Sequence, residues 1–373
     1  MHAITSNHQT RGFSLVELMV AIAISLLLLM GVVALFVSSR ASYQTTERLS
    51  RIQENGRFAL DQFVTDIRSA GFQGCARAMT FGTRPQDFRI STVINENAAD
   101  PDMRWNFVEP ARGFNATGSA WAGAITAMLD PDPNIAGDIL VLRIPRREVT
   151  ALQLTTKQVD PADPLTVGNI NPMPLQAGDT AVISDCAARA FFQVTGYNAG
   201  AGQIAHAVVA ATSPTEPPGA VHTPGNDSAS LDHPFMAGAE ILPIVTMVYY
   251  LAPSADDDSR MSLWRKNGGT IRSDEIAEGI DRLEIQYGVD TTNPRDGTAD
   301  AYVTADLVTD WSAVLTLQIA LLARAPEASG TDFDNQTYVL FSTPNVVQAG
   351  PFPDRNQRKV FTATVAVRNQ IID

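Results

Sequence analysis

From Leu18 to Val37 the chain reads LMVAIAISLLLLMGVVALFV, an apolar run interrupted only by Ser25 and Gly31. As a helix this run covers about 30 Å, enough to cross a bilayer. The pattern then changes. Leu49, Ile52, Ala59, Leu60, Phe63, Ile67 and Ala70 recur by threes and fours with polar residues between them, the stripe of an amphipathic helix. Gly71 follows the last stripe residue and is placed to end it. Taken from Phe13 to Ala70 the helix reaches about 85 Å, with Gly31 and Gly56 as the points where a bend is expected.

Beyond the helix the period drops to two. Leu283, Ile285, Tyr287 and Val289 alternate with polar Glu284 and Gln286, predicting a half-buried strand. The same alternation puts Leu315, Leu317, Ile319 and Leu321 on one strand face and Phe361, Ala363, Val365 and Val367 on another. Residues 141–144, 181–184, 191–195 and 244–251 are further strands by β-branched and aromatic content. APSADDDSR, before MSLWRK, reads as a hairpin loop, and SDEIAEG predicts a short helix capped by Ser273 or Asp274. Two long stretches, about 80–137 and 199–238, lack sustained periodicity and predict surface excursions. The expected class is α+β, a long N-terminal helix packed on a mainly antiparallel β-sheet head with long loops.

Composition narrows the function. A formal charge of −13 leaves no basic surplus for phosphates, so nucleic acid is a poor first partner. The sequence has no P-loop, no H-E-x-x-H and no G-x-S-x-G, which predicts a non-enzymatic protein without a cofactor or metal. His206, His222 and His233 show no ligand spacing and are expected at the surface. DTTNPRDGTADAY (290–302) is acidic enough to suggest calcium. Thr292 and Pro294 break the D-x-[DN]-x-[DN]-G pattern, and an ordinary turn is the better reading.

One acid remains to be explained. Glu17 lies at the start of the apolar run, where a carboxylate needs a partner. A cleaved signal peptide accounts poorly for a run this long without a small-x-small site before Arg40. A plain signal anchor leaves the acid without a role. The sequence Gly12-Phe13-Ser14-Leu15-Val16-Glu17 closely resembles the cleavage and methylation motif of type IV prepilins. The resemblance implies that residues 1–12 are a leader. It implies a prepilin peptidase that cuts after Gly12 on the cytoplasmic side and methylates Phe13, and a Glu17 that meets the new terminal amine of a neighbouring subunit. Residues 13–37 would then be the transmembrane and filament-core helix, 38–71 its amphipathic continuation and 72–373 a periplasmic head. In that oxidising compartment Cys75 and Cys186 are expected to be bridged, with free buried thiols as the alternative.

RIQENGRFALDQFVTDIRSAGFQGC (51–75), SLWRKN (262–267), IAEGIDRLEIQYGVD (276–290) and RKVFTATVAVRN (358–369) narrow the resemblance to PilW-type minor pilins. Most residues of the first segment are expected to be core packing. The resemblance implies an inner-membrane protein that passes to the pilus tip, helps to initiate and cap the filament, and supports twitching and adhesion. Its partners would be other minor pilins, the major pilin, a PilY-type tip adhesin and the assembly platform. The alternatives are a type II secretion pseudopilin of the GspJ kind and a surface or DNA-uptake binding subunit.

Overall fold

The computed structural model describes residues 14–72, 74, 89–95, 104–117, 120–121, 129–134, 136–185, 187–212, 223–268, 273–328, 333–342 and 346–367. The chain divides into two units, Met1–Arg51 and Ile52–Asp373. One helix, α1 (Leu15–Ser69), runs without interruption through Gly31 and Gly56. In the first unit its apolar side chains are exposed throughout, from Leu15 to Val37.

In the second unit Ile52, Ala59, Phe63 and Ile67 of α1 are buried, as the three-four spacing predicts. Gly71 adopts φ +71°, and its N–H donates to the Arg143 carbonyl at 3.0 Å. A left-handed residue of this kind ends a helix with least strain when it is glycine.

The strands, in chain order, are β1 (Arg89–Thr92), β2 (Ala111–Phe114), β3 (Ala116–Thr117), β4 (Ala120–Trp121), β5 (Ile139–Pro145), β6 (Leu152–Gln153) and β7 (Leu165–Thr166). They continue with β8 (Thr180–Ser184), β9 (Ala188–Gln193), β10 (Gly196–Asn198), β11 (Gln203–Ala205), β12 (Glu240–Pro253), β13 (Met261–Asn267) and β14 (Ser273–Glu278). The last six are β15 (Ile280–Val289), β16 (Ala301–Val303), β17 (Val314–Arg324), β18 (Tyr338–Phe341), β19 (Val347–Ala349) and β20 (Arg358–Ala366). The largest sheet has the order β1-β9-β8-β12-β13-β14, with β5, β2 and β6 off that path. Its 14-residue strand β12 pairs β8 through its first half and β5 and β13 through its second. A second sheet, β16-β15-β17-β20, is antiparallel throughout. One core joins α1 to both sheets: Ile52, Phe63 and Ile67 cluster with Leu142, Tyr249 and Leu251 of the first and with Leu283, Leu317 and Val365 of the second.

The α+β expectation therefore holds, and so does the hairpin, since Pro253 pairs with Met261 across the acid-rich loop. Four expectations are corrected. SDEIAE forms β14 and not a helix, because Ser273 accepts a hydrogen bond from the Tyr250 hydroxyl at 2.7 Å and Glu275 accepts one from Ser254 at 2.8 Å. Those pairings across the sheet override a local capping signal. Leu315 leaves its expected row: a bulge pairs Val289 with Val314 and Gly288 with Thr316, so Val314 enters the core instead.

The long stretches are not wholly excursions where they are described, and 80–88, 96–103, 118–119, 122–128, 135 and 213–222 lie outside the described residues. Arg89–Thr92 runs parallel to β9, Ala111–Phe114 pairs with β5, and Phe107, Leu231 and Phe235 are buried. Segments of four residues are too short to show a period, and their partners are distant in sequence. Lastly, His206 is buried, its Nε2 lying 2.9 Å from the Asp163 carbonyl and its ring edge-on to Phe192. His233 is half-buried 3.3 Å from Asp185, and His222 lies outside the described residues.

Candidate functional site

Ser14 opens α1, its Oγ accepting the Val16 N–H at 3.3 Å and its carbonyl the Leu18 N–H at 3.1 Å. Glu17 sits in the first turn, where the helix dipole favours a negative charge, and is exposed. The segment that follows presents apolar side chains on every face. Leu28 and Phe36 are each 67% exposed. A helix apolar all round belongs in lipid or in a protein core. Gly12 and Phe13 lie outside the described residues, as do Cys75 and Cys186.

The signature of the helix's second half resolves into specific contacts. Asn55 donates from its side chain to the carbonyl of Glu278, the last residue of β14, at 3.1 Å. Gly56 lies against the Phe361 ring of β20 so closely that an added Cβ would stand 2.3 Å from a ring carbon. Asp66 is buried and accepts hydrogen bonds from the Arg147 guanidinium and the Tyr249 hydroxyl. Burial, and then the Asp66 charge, raise the Tyr249 hydroxyl's pKa above its ordinary value, so it stays a donor. The Phe63 ring lies 4.5 Å from that of Tyr249, centroid to centroid. The core-packing expectation for this segment is thus right for Ile52, Ala59, Phe63 and Ile67 and incomplete for Asn55 and Asp66.

The C-terminal signatures meet at a second charged centre. Gly279, between β14 and β15, has φ +72°, and a Cβ there would stand 2.7 Å from the Arg324 carbonyl. That turn brings Asp281 to Arg358 at 2.7 Å and Arg324 at 3.4 Å. Arg358 also binds Asp334 at 2.9 Å and Asp354, and its guanidinium covers the Phe352 ring at 3.8 Å. Burial alone would lower the Arg358 pKa, but Asp354, Asp281 and Asp334 outweigh it. The hydrogen bonds from Arg358 hold Asp354 below the ordinary carboxylate range. Such a cluster ties Asp281, Asp334 and Asp354 to β20, with two guanidinium groups set against three carboxylates.

The 290–302 turn uses its acids on its own backbone. Asp290 accepts from the amides of Thr292 and Gly297, and Asp300 from that of Thr291. No group of three or more metal-ligating side chains occurs among the described residues. Arg147, Tyr249, Asp281 and Asp354 are the partners that sequence reasoning missed. The acid and glycine positions were visible, but nothing local named what they meet.

Residues 248–369 match the family described as type IV pilus-assembly protein W, and residues 7–33 match the prokaryotic N-terminal methylation motif. No curated protein and no solved structure matches the chain. The first match begins within β12 and runs through β20, taking in the Arg358 centre; the second covers Glu17 and the start of the exposed apolar helix.

Proposed function

We propose that this PilW-type minor pilin is processed after Gly12 by a prepilin peptidase, methylated on Phe13, and held in the inner membrane by residues 13–37 with its head in the periplasm. It then passes to the pilus tip, where it helps to initiate and cap the filament and so supports twitching and adhesion. Its partners there are other minor pilins, the major pilin, a PilY-type adhesin and the assembly platform. Cys75 and Cys186 form a disulfide in that compartment.

One observation carries the reading. The apolar half of α1, up to Val37, has a single acid, Glu17, in its first turn and within the match to a methylation motif whose processing would free an amine on Phe13. A desolvated ion pair adds little net stability, yet losing one partner is costly, so it penalises wrong register between neighbouring subunits. A PilW match over the C-terminal strands favours pilus assembly over secretion.

The test is Glu17→Val in the full chain. The expected result is unchanged membrane insertion with loss from sheared pili, and normal incorporation would overturn the pairing. Deleting the gene should remove surface pili and twitching while secretion continues. The reverse phenotype would assign the chain to a secretion system.

A further inference from the structure

Strand β20 ends one side of the second sheet, paired with β17 and with no other described strand. The Val367 N–H donates to the Leu315 carbonyl at 2.8 Å, which sets the phase of the ladder. Antiparallel strands turn alternate residues' main-chain groups toward their partner. Phe361, Ala363 and Val365 therefore face β17, and Val360, Thr362, Thr364 and Ala366 face outward. Thr362, Thr364 and Ala366 are exposed, and no described residue bonds their outward N–H and C=O groups.

Sheet edges are normally blunted by charge, proline, a bulge or shortness. The opposite edge, β16, is only three residues long. From Val360 to Val367 the sequence VFTATVAV carries no charge and no proline, and its pairing to β17 shows no register shift. A free row of amides and carbonyls at strand spacing is chemically specific for one class of ligand, an extended polypeptide.

We propose that the β20 edge is a strand-acceptor surface, completed on assembly by an extended segment of about seven residues from a different pilus subunit. The inference rests on the pilin reading above. Charge selects the occupant: Lys359 is exposed at one end of the edge and Val360 to Val367 carries no charge, so the incoming strand is neutral along most of its length and acidic where it meets Lys359. A second copy of this chain meets only the first condition, since its own β20 is neutral at its centre but holds no acid. Laid antiparallel its β20 brings no carboxylate to Lys359, and laid head to tail it meets the three-residue β16.

The experiment is residue-resolved hydrogen exchange over 358–367, comparing the full-length protein in detergent micelles with the same protein in sheared pili. Amides of 360, 362, 364 and 366 should slow about tenfold or more on assembly, while those of 361, 363 and 365 are slow in both. Equally fast outward amides in pili overturn the proposal. Protection already present in detergent, with a dimer's mass, assigns the edge to a second copy and overturns it too. Thr364→Pro removes an outward donor but spares the ladder, so melting should hold while recovery in pili falls about tenfold. Thr362→Lys supplies an edge charge by a route independent of proline, with the same expected loss. Wild-type recovery of both variants overturns the proposal. A chain absent from pili altogether defeats the pilin reading and the proposal together, whereas a chain present with fast outward amides defeats the proposal alone.

Discussion

Asp66 shows how a single side chain can decide where a helix sits. Its carboxylate is buried between α1 and β12, with Tyr249 on one oxygen and Arg147 on the other. Asp66→Ala would strand a buried hydroxyl and release Arg147, whose side chain is 38% exposed and can turn to water. The cost therefore falls mainly on the tyrosine and on the lost packing, about 2 to 3 kcal/mol. Tyr249→Phe leaves the Arg147 pair intact and should cost about 1 kcal/mol. Urea unfolding followed by tryptophan fluorescence measures both. A Tyr249→Phe loss equal to that of Asp66→Ala would show that the tyrosine alone holds the site. Neither partner could be named from sequence, because Arg147 is 81 residues from Asp66 and Tyr249 is 183.

Between elements, Asp138, just before β5, ties the first sheet to the second. It accepts the Ile285 N–H at 2.8 Å and donates its own N–H to the Leu283 carbonyl at 2.9 Å. Burial, then the neighbouring Glu284 charge, push its pKa well above the ordinary carboxylate range. The folded chain thus keeps a proton that the unfolded chain releases near pH 4. This contribution to stability is whole below that pH and declines as pH rises toward the folded value. Asp138→Asn removes the titration, so the melting temperature of the variant relative to wild type should climb from pH 4 to pH 7. A constant difference across that range would refute the assignment. The strand itself was legible, since Leu283, Ile285 and Tyr287 alternate as their burial requires. The link was not legible, because Asp138 lies between the stretch of about 80–137 that reads as a loop and the strand read from 141, and nothing local names Ile285. Local pattern likewise misread β14, whose polar residues pair across the sheet, and misplaced Leu315, which a bulge moves out of its row. By contrast the apolar helix, the stripe from Ile52 to Ile67 and the methylation motif were plain, because each is written in contiguous residues.

For the whole molecule, burial marks where the chain can be cut. Every side chain from Leu15 to Val37 is exposed, so removing this segment takes nothing from the head's core. The first fully buried side chain of α1 is Ile52, at 1% exposure, and the second unit begins there. A chain begun at Thr46 keeps more than one helical turn before Ile52 and all of the Ala59, Phe63 and Ile67 contacts. It is expected to be monomeric without detergent and to melt cooperatively. A chain begun at Phe63 loses Ile52 and Ala59 from a core shared by both sheets. Burying a side chain of isoleucine's size is worth about 1.5 to 3 kcal/mol, and an opened core costs more than the transfer term alone. Against a total stability of about 5 to 15 kcal/mol, that loss is large enough to leave the shorter chain aggregating or partly unfolded. Size-exclusion chromatography and circular-dichroism melting separate the outcomes. If the Thr46 chain aggregates while the full chain stays monodisperse in detergent, residues before Ile52 contribute to the head's stability, and the division at that residue is wrong.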